Sequence, residues 1–268
     1  MAIEQRLHAR CGCAIAHAAG ETQESGLRPF ALATSIRHFE RDRPFAVEHL
    51  ALDLALDLPK KSVAGTATLT LKRIDAEATE IVLDAIGFEI TSVTVGGKDA
   101  KYVYDGRTLA VAIPPGTDDG ILAVTYAATP RRGLYFLEPD AHVPERPRQV
   151  WSQCQEEDAR HWIPCHDKPH VKMTTEMRIR VPNGFYVLSN GELVEKKTPA
   201  EGSWQFHWKM PAPHPSYLLT LVAGEFEELT AKAGEVPLQY LVPKGRRKDG
   251  ERTFARTPEM IRYFSEKT

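Results

Sequence analysis

The chain has 268 residues, a net charge of -2, 42% hydrophobic and 26% charged residues, and a pI of about 6.6. That composition fits a folded chain long enough to bury its own core. It provides no general basic field, so nucleic acid is not an expected partner. No apolar run approaches the ~18–20 residues of a membrane span. The opening residues, with His17 inside a short apolar patch, make a poor secretory signal, so the expected location is cytoplasmic.

Residues 1 to about 43 show no sustained period and read as an N-terminal extension or arm. Alternation then begins. Leu50–Leu58 (LALDLALDL) places leucines at every second position, the pattern of a half-buried strand. Gly65–Leu71, Glu80–Ala85, Glu89–Val95, Arg107–Ile113 and Ile121–Tyr126 continue it, with hairpin signals at Gly96-Gly97 and Asp105-Gly106. Met173–Val181, Phe185–Leu188, Ser203–Met210, Ser216–Phe226 and Leu238–Val242 complete the expected strands. The fold class is mainly β, a sandwich or saddle-like sheet packing over residues 44–245.

The pattern changes after Lys244. The run Lys244–Lys248 (KGRRK) reads as a solvated loop, and Asp249–Lys267 as a helical segment. Thr257 is its expected N-cap, with Pro258 in the first turn and Glu259 at the positive end of the dipole. Met260, Ile261 and Phe264 share a face with little sequence left to pack against, so 246–268 reads as the start of a following domain.

One stretch does not read as plain sheet. Trp151–Lys172 (WSQCQEEDARHWIPCHDKPHVK) concentrates aromatics, two cysteines, three histidines and a block of acids. His161, Cys165, His166 and His170 lack the paired short spacings of a closed zinc site, and Pro164 and Pro169 interrupt them. Cys154 and Cys165 flank a loop that a disulfide could close, but reduced buried thiols are expected. With Cys11 and Cys13 they make no disulfide scaffold in a chain of this length. A Cys–His pair that is near in sequence is weak evidence of nucleophilic chemistry, and no G-x-S-x-G, P-loop or G-x-G-x-x-G occurs. The acids Glu156, Glu157 and Asp158 follow Gln155. If this stretch is extended, Gln155 and Glu157 face one way and Glu156 the other. One face would then offer an amide oxygen and a carboxylate to a cation such as a peptide N-terminus. The alternative is a solvated acidic turn balanced by Arg160 and Lys168.

Five stretches, in order, carry a family resemblance: Arg43–Asp57, Gly65–Leu71, Trp151–Lys172, Val187–Glu195 and Tyr217–Phe226. Together they resemble the N-terminal domain of the zinc aminopeptidases related to aminopeptidase N and leukotriene hydrolase. The resemblance implies a β domain that walls a peptide-substrate cleft beside its own catalytic domain. There the residue after the Q-C pair, here Gln155, contacts the substrate α-amine. Gln155, Glu156 and Glu157 are therefore the candidate substrate-binding residues, with no catalytic residue in this segment. Zinc belongs to the catalytic domain of the parent enzyme; the H-E-x-x-H motif that binds it is not in this sequence. Arg131–Trp151 is closer to a branch that includes a non-catalytic subunit of the transcription-initiation machinery, which keeps open a reading as a protein-interaction module.

Overall fold

The computed structural model describes residues 40–116 and 119–268, and Arg43–Thr268 forms one compact unit. Cys11 and Cys13 lie outside the described residues. The first strands are β1 (Phe45–Asp57), β2 (Ser62–Arg73), β3 (Glu80–Asp84), β4 (Phe88–Val95), β5 (Lys98–Asp99), β6 (Tyr102–Tyr104), β7 (Thr108–Ala112) and β8 (Asp119–Ala128). They are followed by β9 (Gly133–Leu137), β10 (Gln149–Gln153), β11 (Lys172–Pro182), β12 (Tyr186–Ser189), β13 (Glu192–Lys197) and β14 (Ser203–Pro215). Last come β15 (Leu221–Gly224), β16 (Phe226–Ala233), β17 (Val236–Pro243) and two helices, α1 (Arg247–Phe254) and α2 (Thr257–Lys267).

The large sheet runs β13-β14-β11-β1-β2-β8-β4-β5, and only the β1–β11 pair is parallel. Its inner face carries the leucine alternation expected from sequence: Leu50, Leu52, Leu54, Leu69 and Leu122 are fully or almost fully buried. Each such side chain contributes about 1.5–3 kcal/mol of apolar burial. A bulge between Val47 and His49 shifts the phase of β1, so that Phe45 and Val47 also face inward while His49 turns outward. A four-stranded sheet (β12-β15-β10-β9) and a three-stranded sheet (β3-β7-β6) bury their own faces in the same core. β13 is the outer strand of the large sheet, and all six of its residues are exposed. Its Lys196 ammonium lies 3.6 Å from the centre of the Trp204 ring.

Two expectations need correction. Ser216–Phe226 is not one strand: Ser216–Leu218 is a 3-10 turn, and β15 and β16 belong to different sheets. The buried Ser216 hydroxyl is tied to Asp167, which holds that segment in a turn. The C-terminal segment is two helices rather than one. Pro258 cannot donate to the turn before it, Arg256 rather than Thr257 occupies the N-cap position, and no side chain caps the first turn. Helix α1 packs closely on the β16–β17 hairpin. Tyr240 stacks on Phe254 at 4.6 Å, and a Cβ on Gly250 would lie 2.6 Å from Leu229. Helix α2 touches β16 but buries no residue completely, and Met260, Tyr263 and Phe264 are at least half exposed.

Candidate functional site

The loop between β10 and β11 carries most of the polar chemistry singled out in the sequence. It leaves β10 after Gln153, turns through residues 155–158, forms a 3-10 turn at Ala159–His161 and is buried from Trp162 to Asp167. The turn is closed by the Asp158 N–H donating to the Cys154 carbonyl at 2.9 Å, and the Gln155–Glu156 peptide is cis. With that hydrogen bond residues 155–158 form a turn and are not extended, so the condition for a strand-like facing is not met. Gln155 and Glu156 are both exposed, while Glu157 turns back toward the chain.

The inward residues explain why the loop holds this shape. The Arg160 guanidinium donates to Glu157 Oε2 at 2.6 Å and to Asp167 Oδ2 at 3.1 Å, and lies 3.7 Å from Asp84 Oδ1. Lys168 Nζ donates to the other Glu157 oxygen at 2.8 Å. Asp84 and Cys165 exchange backbone hydrogen bonds, which stitches the loop to the end of β3, and the Asp167 N–H donates to Asp84 Oδ2. Ser216 Oγ donates to Asp167 Oδ1 at 2.6 Å. Burial opposes the charge on Arg160, but Asp84, Asp167 and Glu157 outweigh it and raise its pKa. Burial pushes the Asp167 carboxyl up, against the pull of Ser216 and Arg160.

Aromatic and sulfur contacts fix the other side. The Trp162 indole donates to Cys154 Sγ at 3.3 Å, and Tyr126 Oη donates to the Trp162 carbonyl at 2.7 Å. Both thiols are free and buried, as expected for reduced cysteines. Arg132 and His161 approach Asp158 Oδ1 at 3.3 and 3.8 Å. Burial lowers the pKa of His161, with Asp158 acting against it. No group of three or more His, Cys, Asp or Glu side chains among the described residues is arranged to hold a metal ion.

On the outer side of the turn the Gln155 N–H donates to Gln153 Oε1 at 2.8 Å. The Gln155 side-chain amide has no hydrogen bond to a described residue, and the Glu156 carboxylate has no ion pair with one. Of the three candidate substrate-binding residues, two are thus presented to solvent and one is neutralised by Arg160 and Lys168. Sequence reasoning missed β9 and β10 as strands, and with them Tyr135 and Trp151. These directly opposed residues stack at 4.7 Å on the same outward side as Gln153. The alternation in Q-V-W-S-Q was the available signal.

The loop is thus tied to the three larger sheets of a mainly β domain and leaves an amide and a carboxylate exposed at its tip. The comparisons specify the domain further: residues 46–218 match the Peptidase M1 N-terminal domain, and the chain belongs to that family. It is similar to a leukotriene A-4 hydrolase homolog of Botryotinia fuckeliana, 34% identical over 196 residues, covering 66% of this chain and 30% of that protein. It is also similar to leucine aminopeptidase 2-2 of Scheffersomyces stipitis, 30% identical over 197 residues, covering 71% and 30%. The chain therefore matches about a third of the length of these relatives. Among solved structures, an M1 zinc metallopeptidase mutant from Deinococcus radiodurans bound to a Tyr-Ser-Ala substrate superposes with a TM-score of 0.62. It is 25% identical, over 76% of this chain and 49% of that one. Native yeast LTA4 hydrolase gives 0.64 at 25% identity, over 77% and 32%.

Proposed function

We propose that this chain is the N-terminal, non-catalytic part of a zinc metallo-aminopeptidase, and that the turn at residues 155–158 binds the free α-amine of a peptide. The observation that carries this reading is the exposed, uncommitted pair Gln155 and Glu156, held out by the Glu157–Arg160–Asp167 network. A carboxylate and an amide oxygen are both acceptors, and a substrate ammonium is a donor only. Glu157 supports the turn rather than touching the substrate. The aminopeptidases and leukotriene hydrolases among the relatives favour this reading over an interaction module.

Three of the segment's candidate donors are poorly placed for zinc: the Cys154 sulfur accepts from Trp162, Cys165 is fully buried, and His161 lies against Asp158. Zinc would be held by the catalytic domain, where it polarises the scissile carbonyl and activates water. The chain alone is therefore expected neither to hydrolyse an aminoacyl reporter amide nor to retain stoichiometric zinc. No helix among the described residues is long and apolar enough to cross a membrane. A cytoplasmic location is part of this proposal, being the compartment in which free cysteines such as Cys154 and Cys165 persist.

Titration of the chain with leucinamide and N-acetylleucinamide, followed by NMR, tests the amine site. Only the free amine should move the Gln155 side-chain resonances, and Gln155→Ala should weaken it about tenfold, the equivalent of one hydrogen bond to a charged group. Gln155→Glu should bind at least as well. Equal binding of the acetylated compound would sink the reading.

A further inference from the structure

We propose that the stacked pair Tyr135 and Trp151 forms the side-chain subsite next to this turn, taking the aromatic or large aliphatic side chain of the peptide's N-terminal residue. The proposal rests on the reading of Gln155 and Glu156 as the amine site and assigns it a specificity-determining neighbour.

The placement follows from the strand. Trp151 and Gln153 are two residues apart on β10 and face the same way, so they stand roughly one strand repeat of 6.8 Å apart. Gln153 in turn holds the Gln155 backbone. Ring pair, Gln153 amide and amine-binding turn therefore follow one another along the outward face of β10. Opposite Gln153, β9 carries Gly133, so no β9 side chain stands beside the amide.

The pair is also built as a surface. Trp151 is 36% exposed, and its ring is held nearly parallel to that of Tyr135, at 27°. Two aromatic rings fixed in this way offer a rigid apolar area with little side-chain entropy left to lose. The apolar row continues across the sheet: Trp151 pairs with Val222, and Val222 with Leu188, both half-buried. An exposed indole on a contiguous apolar row beside an uncommitted amide and carboxylate is a combination suited to an amine-bearing ligand with a large apolar side chain. Small or charged N-terminal residues would leave the rings wet.

The test uses the 268-residue chain, uniformly labelled with 15N, and three probes: phenylalaninamide, alaninamide and N-acetylphenylalaninamide. Trp151 is identified among the four indole resonances by its loss in Trp151→Ala. The unchanged positions of Trp162, Trp204 and Trp208 report that the variant is folded. Phenylalaninamide should move the Trp151 indole and bind about fivefold more tightly than alaninamide, the ratio expected from covering one aromatic face. Trp151→Ala should bring that ratio close to one by weakening phenylalaninamide far more than alaninamide, and Trp151→Phe, which can still stack on Tyr135, should keep most of it. The subsite is overturned if the Trp151 indole does not move with phenylalaninamide or its acetylated form, or if Trp151→Ala weakens both free amides equally. Failure of the amine site alone looks different: the acetylated compound then binds as well as phenylalaninamide and still moves the Trp151 indole.

Discussion

Arg160 grips Asp167 from two directions. Its backbone N–H and its Nε both donate to Asp167 Oδ2 at 3.1 Å, while Nη2 reaches the Asp167 carbonyl oxygen at 2.9 Å. Asp167 is fully buried. Removing the cation alone would strand a buried carboxylate, the expensive way to break such a pair. Arg160→Met is expected to lower the unfolding free energy by about 3–5 kcal/mol. Asp167→Asn should lose less, since its amide oxygen can still accept from Arg160 while its N–H turns to the Ser216 hydroxyl as acceptor. Urea denaturation measures both. An Arg160→Met midpoint no different from that of an exposed substitution would show that the network does not hold the loop.

Gly133 is a second fixed point. Its φ is +78°, and an added Cβ would lie 2.0 Å from the Asp158 carbonyl oxygen. Neither the backbone of β9 nor the turn can yield without giving up the other. Gly133→Ala should cost about 3 kcal/mol or more, and the loss should be accompanied by faster amide exchange at Asp158. A variant of wild-type stability would mean that the turn moves away at no cost.

The two thiols near the turn should be silent in the folded protein. Burial pushes Cys154 up to about 12, with the Trp162 indole acting against it, and pushes Cys165 well above the ordinary thiol range. The nucleophile is the thiolate, so at about pH 8 neither should react. Alkylation with iodoacetamide and peptide mapping should find both unmodified in buffer and both modified in urea. Labelling of Cys165 in buffer would contradict its placement.

Stability should fall as the solution is acidified below neutrality. Burial lowers the pKa of His214, of His49 and of His161 from 6.5. A histidine with a lowered pKa stays neutral in the fold and takes up a proton more readily when unfolded. Its contribution is therefore complete above about pH 6.5 and is lost as the pH falls through that value. The raised Asp167 has the opposite sign: its contribution is present below its ordinary 3.8 and is lost as the pH rises from there through its raised folded value. The urea midpoint should drop between about pH 7.5 and 5.5. His214→Gln, which can still bond to Thr175, should flatten the drop. A flat profile in the parent chain would argue against neutral buried histidines.

The long strands of the large sheet were legible in the sequence because each buries one face, and burying one face forces period-two alternation. Leu50–Leu58 and Gly65–Leu71 announce β1 and β2 in this way, although a bulge carries β1 back to Phe45. β9 and β10 were missed although Q-V-W-S-Q alternates, because Trp151 runs straight into the cysteines, histidines and acids of the following loop and reads as one stretch with them. The order of events after Gln153 was hidden for a different reason. Whether Glu156 or Glu157 points outward depends on Arg160 and Lys168 binding Glu157, and on Asp84, which is about 70 residues away in sequence and close only in the fold. The divided C-terminal helix was signalled by Pro258, but as a permitted first-turn residue rather than as a break.

Strand β13 leaves one flank of the large sheet open, and it fills that flank with Glu192, Glu195, Lys196 and Lys197. Any strand arriving from a neighbouring molecule would have to strip water from four charges and lift Lys196 off the Trp204 ring. Sheet-to-sheet growth from that side is thereby discouraged. Concentrated preparations should stay dispersed rather than template fibres, and a variant that turns these four residues into threonine should lose that protection.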